Sequence, residues 1–94
     1  MRDNRFHPIP TLSVKEHVTY VVNNILNSFA AERGYDSIIS VCSYTASSIP
    51  NLKAEADRAV IVRDTLWVAA LAALEDTSKT ATEIINSLPQ PAWE

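Results

Sequence analysis

The stretch Asn51–Asp76 (NLKAEADRAVIVRDTLWVAALAALED) constrains this chain more than any other, because it holds the only apolar run long enough to serve as the spine of a core. Pro50 disfavours helix at Ile49 and Asn51 is a good N-cap, so a helix is predicted from Leu52. Leu52, Ala56, Ala59, Val60, Arg63, Trp67, Ala70 and Leu74 recur on one face at helical spacing, with Lys53, Glu55, Asp57 and Arg58 mostly off it. From Thr65 to Leu74 the polar face disappears. That half must be wrapped by the protein's own helices or covered by another chain, and a short chain has few helices with which to wrap it. Crossing a bilayer takes ~20 apolar residues, roughly twice this run, and Arg63-Asp64 interrupts its extension backwards. Self-association accounts for it better, since a large exposed apolar patch usually marks an interface. Trp67, Leu71 and Leu74 are therefore expected to be core or interface anchors.

Arg63 sits among Ala59, Val60, Leu66 and Trp67, where its stem can pack but an unpaired buried guanidinium would be costly. One reading lets it snorkel to water beside Asp64. The other makes it a buried ion pair or carbonyl clamp between elements, with Asp36 the favoured partner.

At 94 residues this is expected to be one domain with a modest core, which leaves room for subunit contacts to matter. One glycine and five prolines, placed towards ends and junctions, argue for helices joined by short turns; an all-β chain would want more turn glycines. A net charge of −3 and eight unclustered basic residues give no electrostatic reason to bind nucleic acid. The single Cys42 excludes an internal disulfide and a multi-thiolate zinc site, and suits a reducing cytoplasm. The start MRDNRFHPIP has no apolar leader region, so no signal peptide is expected.

In chain order, residues 1–12 read as an extended, proline-fixed arm with Phe6 and Ile9 as anchors for a neighbour. Ser13-Val14-Lys15-Glu16 is a capping box that starts a helix near Val14. Val14, Val18, Val21, Val22, Ile25, Leu26 and Phe29 form its apolar stripe, and Gly34 is its expected C′ residue. Tyr35 can fold back on Phe29 or Ala30. Asp36 is expected to cap a second, shorter helix with Ile38, Ile39, Val41, Cys42 and Tyr44 inward; its serines and β-branched residues make a strand the runner-up. Thr80-Ala81-Thr82-Glu83 is a second capping box, opening a short helix that Pro89 closes. The tail PQPAWE is extended, and its Trp93 is too large an apolar group to be left in water, so it too is expected to grip a neighbour. The whole is an all-α bundle of about four helices (14–33, 37–46, 52–76 and 81–88): an arm over 1–12, one helical domain over 13–89, and a tail over 90–94.

Chemistry-bearing patterns are sparse. His7 and His17 lack the paired spacing that puts two imidazoles on one metal, and read as surface residues. Cys42, in ISVCSYT, reads as a buried small hydrophobe rather than a nucleophile. A lone glycine allows no phosphate-cradling loop, and the acidic residues show no spacing suited to acid–base work. No catalytic, metal or cofactor residue is expected, and no small-molecule substrate. A helix-turn-helix reading fails on its candidate recognition helix, NLKAEADR, which carries as much acid as base.

Gly34-Tyr35-Asp36-Ser37, Cys42-Ser43-Tyr44, Ala54-Glu55-Ala56, Val62-Arg63-Asp64-Thr65-Leu66-Trp67 and Thr82 to Leu88-Pro89 resemble, in order and spacing, short helical proteins encoded in the tail-gene regions of tailed bacteriophages and prophages. The resemblance spans Ala31 to about Pro89, and departs from the family's pattern at Val62, where an aromatic commonly precedes Arg-Asp. It implies a tail or tail-fibre accessory: folded in the host cytoplasm, then part of the virion, working as a homo-oligomer or on another tail or fibre protein. A tail-fibre assembly chaperone absent from the mature particle is the alternative, and a small regulator binding a host protein or DNA a further one.

Overall fold

A computed structural model of the chain describes residues 13–94, and within them the protein is all-helical. The arm over 1–12, with Phe6, His7 and Ile9, lies outside the described residues. Four helices follow in order: α1 (Val14–Ala31), α2 (Ile38–Cys42), α3 (Pro50–Leu74) and α4 (Ala81–Ser87), with a 3-10 turn over Ser43–Ala46.

Helix α1 starts at the expected capping box. Ser13 Oγ accepts the Glu16 amide at 3.1 Å, and the Glu16 carboxylate accepts the Ser13 amide at 3.0 Å. Its end is equally local. Gly34 takes φ +86°, the Gly34 amide donates to the Ala31 carbonyl at 3.0 Å, and the Tyr35 amide donates to the Ala30 carbonyl at 3.2 Å. These are the two bonds of a Schellman motif, and a Cβ at residue 34 would strain the left-handed backbone they require. Between the caps, Val18, Val22, Leu26, Phe29 and Ala30 are buried.

Helix α2 departs from expectation in cap and length. Ser37, not Asp36, is the N-cap: its extended backbone aims Oγ at the Ser40 amide, 3.1 Å away, while Asp36 stays exposed. Asn27 of α1 supplies a second cap, its Oδ1 accepting the Ile38 amide at 2.9 Å. After five residues the helix tightens into the 3-10 turn, where Ser43 Oγ bonds back to the Ser40 carbonyl at 2.6 Å. A single turn has one inward edge, and Ile38 and Val41 hold it. Ile39, expected inward, is 79% exposed; Tyr44 is exposed and Cys42 half-buried.

Helix α3 begins two residues earlier than expected. Ile49 is the cap, without a side-chain bond, and Pro50 takes the first helical position, where its missing N–H costs nothing. Its buried seam is Ala56, Ala59, Val62, Leu66 and Ala70. Val62 and Leu66 therefore stand where the sequence pattern put Val60 and Arg63. The three alanines in this seam let α3 lie close against its neighbours α1, α2 and α4. Helix α4 opens on the second capping box, Thr80 with Glu83, at 3.1 and 2.8 Å, and inserts Ile84 and Leu88. The core is thus a cluster of α1 (Val18, Val22, Leu26, Phe29) and α3 (Val62, Leu66), closed by Ile38, Val41, Ile84 and Leu88. Each fully buried Leu or Phe in it contributes roughly 1.5–3 kcal/mol.

Candidate docking surfaces

The side of α3 opposite its seam is the largest unexplained feature of the folded chain. Ile61, Val68 and Leu71 are 56%, 67% and 53% exposed. Ile61 and Val68, seven residues apart, stand almost directly above one another, and Leu71 flanks them. Thr65 and Ala72, both exposed, complete the stripe, which rises roughly 15 Å from Ile61 to Leu71 at 1.5 Å per residue. Among the described residues, the protein's own helices therefore cover one face of the over-apolar segment and leave the other exposed.

The expected anchors divide along this line. Trp67 and Leu74 are half-buried and pack on the core, and Leu74 borders an open hollow of about 300 Å³ with Val14 and Ile84. Leu71 belongs to the exposed stripe. Ile61 and Val68, which face away from the predicted seam, are its other large members and were not expected as anchors; their uninterrupted seven-residue spacing was the signal available.

Trp93 does something other than wait for a neighbour. Its indole lies on the Phe29 ring, centroids 4.1 Å apart and 14° from parallel, and its Nε1–H donates to the Phe29 carbonyl at 3.1 Å. The Arg33 guanidinium sits 4.9 Å from the indole centroid, in cation–π contact. Arg58 of α3 holds the same segment by its backbone, Nε donating to the Ala92 carbonyl at 2.9 Å and Nη2 to the Glu94 carbonyl at 3.4 Å. Trp93 thus grips its own chain, because Phe29 near the end of α1 offers the stacking face and carbonyl that an indole can satisfy together. Arg33 and Arg58 had no role in the sequence pattern, since both lie off the apolar faces.

The expected Arg63–Asp36 pair does not form. Arg63 Nε donates to Asp64 Oδ1, its sequence neighbour, at 3.0 Å, with both side chains well exposed. With Ser37 as cap, Asp36 remains solvated, and Arg63, part-exposed beside Cys42 of α2, gains little by reaching out to it. An ion pair that does join distant parts of the chain lies elsewhere. Arg33 Nη1 lies 2.7 Å from Glu55 Oε2, and the Tyr35 hydroxyl donates to Glu55 Oε1 at 2.6 Å. The Tyr35 hydrogen bond, with that of Arg33 behind it, holds the Glu55 carboxyl below its ordinary value. The same bond, reinforced by desolvation and the Glu55 charge, pushes the Tyr35 phenol up to about 12. Gly34 turns the chain, so Arg33 and Tyr35 on either side of it both reach α3. The Gly-Tyr-Asp-Ser turn and the Ala-Glu-Ala segment, far apart in sequence, therefore meet at one carboxylate.

Among the described residues, reactive groups do not converge. Burial pushes the Cys42 thiol up, only partly opposed by the nearby Arg63 charge, so it is a poorer thiolate than a free cysteine. His17 is exposed on α1. Among the described residues no group of three His, Cys, Asp or Glu could hold a metal ion, and no helix is long and apolar enough to cross a membrane. No family model, curated protein or solved structure matches the chain. What the arrangement offers is surface: an apolar helix face on one side and a tethered aromatic segment on another.

Proposed function

We propose that this protein is a non-enzymatic helical adaptor that assembles with copies of itself through the outer face of α3, and that its place is in the tail or tail fibres of a bacteriophage particle. The observation that carries the assembly is the exposed row Ile61, Val68 and Leu71 on a helix whose opposite face already fills the core. Half or more of each of these side chains is left exposed, and covering that part would contribute roughly 1–2 kcal/mol apiece. A two-fold arrangement lets one stripe cover another copy of itself. The placement rests on the resemblance of Ala31–Pro89 to phage tail-region proteins.

Light scattering over a range of concentrations tests the assembly, with a Val68→Ser, Leu71→Ser variant as comparison. The expected result is an oligomer in the parent chain and a folded monomer in the variant. An unchanged mass in the variant would overturn the α3 interface. Mass spectrometry of purified virions tests the placement: a structural adaptor is present in the particle, whereas absence would favour the assembly chaperone.

A further inference from the structure

The segment Pro89–Glu94 is held as a ligand is held. It leaves α4 at Leu88, whose extended backbone (φ −70°, ψ 145°) is the conformation a following proline favours. Its contacts concentrate at the far end: the indole on Phe29, the cation of Arg33 beside it, Arg58 on the Ala92 and Glu94 carbonyls, and Arg33 Nη2 3.5 Å from the Glu94 carboxylate. The middle stands off the body. Gln90 and Pro91 border a hollow of about 80 Å³ against Ile61, Val62 and Leu66 on one side, and a more open one of about 330 Å³ against Val21, Ile25 and Phe29 on the other. The segment is a strap fixed at its hinge and its tip. Part of the receiving site is set without the strap: Phe29 belongs to the α1 side of the core cluster, and Glu55 holds Arg33 at 2.7 Å.

The receiving site therefore recognises an extended peptide bearing an indole followed by an acid, with two backbone carbonyls offered to one arginine. We infer that this site also accepts the Pro89–Glu94 strap of a second copy, so that chains can join by exchanging straps. Every copy carries both halves, and exchange across the Leu88–Pro89 hinge preserves each contact named above while linking two bodies. What favours the strap's own chain is the short tether, which sets a local concentration of millimolar order; exchange wins where copies are crowded or already aligned. The strap borders the outer face of α3 at Ile61 and Thr65 but leaves Val68 and Leu71 free of it, so the test replaces those two residues first.

Two full-length chains, both carrying Val68→Ser and Leu71→Ser so that α3 contributes no association, separate the halves. One adds Trp93→Ala, leaving the site whole and the strap without its indole. The other adds Arg33→Ala and Arg58→Ala, leaving the strap whole and the site without its donors. Native mass spectrometry of the mixture should show a heterodimer roughly tenfold more abundant than any dimer of either chain alone. A mixture no different from its components overturns the exchange. A fluorescent peptide of sequence LPQPAWE provides the second measurement: it should bind the Trp93→Ala chain roughly tenfold or more tighter than the parent, whose own strap competes. Equal or absent binding to the two chains overturns the site itself. Peptide binding without a heterodimer overturns exchange between copies while leaving the strap's intramolecular seat intact.

Discussion

The two sides of α3 invert the usual distribution of side-chain size. Its inner seam is mostly small, with Ala56, Ala59 and Ala70 beside Val62 and Leu66, all at or near full burial. Its outer stripe is large, with Ile61, Val68 and Leu71, all more than half exposed. Small residues inside bring helix axes close and let α1, α2 and α4 meet one spine. Large residues outside spend less than half of their surface on contacts within the chain. On the proposed assembly, the monomer's stability and its association fall on opposite faces of one helix, and substitutions should separate them.

The largest effect expected is from Leu66→Ala, which removes a buried side chain that the close-packed neighbours cannot replace. Urea unfolding should show a loss of about 2–5 kcal/mol. A loss under about 1 kcal/mol would mean the inner face is not the structural one. Next comes Ala59→Leu, which adds bulk at a fully buried position of the spine and should cost about 1–3 kcal/mol, whereas a large residue at Ala72 on the outer face should be tolerated. Thermal melts of the two variants make that comparison directly.

A smaller effect is expected at the polar tie between the turn and α3. Glu55→Gln keeps the shape but weakens the acceptor for Arg33 and Tyr35, at a cost of roughly 1 kcal/mol after allowing for the solvent exposure of the arginine. The pH dependence has a definite sign. The Glu55 carboxyl is held below its ordinary 4.5, so its contribution is present above that value and is lost as pH falls through the lower folded value. The Tyr35 phenol is raised from 10.0 to about 12, so its contribution is complete below about 10 and is lost as pH rises towards 12. In Glu55→Gln both slopes should flatten in a stability-versus-pH series. Unchanged slopes would place the acid and alkaline sensitivity elsewhere.

The smallest effect on stability belongs to the outer stripe. Leu71→Ser should move unfolding free energy by no more than about 0.5 kcal/mol. Its whole consequence should appear as a loss of association in sedimentation velocity. A destabilisation comparable to that of Leu66→Ala would erase the distinction between the faces.

What could be read without the structure was local. Ser13 with Glu16, Thr80 with Glu83, and Gly34 with its left-handed backbone act through bonds within a few residues; both helix starts are where the pattern put them, and Gly34 turns the chain as expected although α1 itself ends at Ala31 rather than at residue 33. The apolar run after Thr65 likewise announced a helix with more hydrophobic surface than one small bundle can bury. The candidate surfaces were only partly legible. Leu71 was read from the run itself, but Ile61 and Val68 were not singled out, because periodicity shows that a helix has faces without showing how far neighbours rotate it.

The tertiary structure alone decided the rest, for one physical reason: the choice among competing partners is made at distances the sequence does not contain. Arg63 had a plausible carboxylate in Asp36 and took Asp64, while Arg33, which had shown no pattern, found Glu55. Trp93 required only that an aromatic face and a free carbonyl lie together, and the end of α1 supplied both at Phe29. Short-range bonding made the helices legible in the amino-acid order; long-range packing chose which side of α3 is core, and where the strap lands.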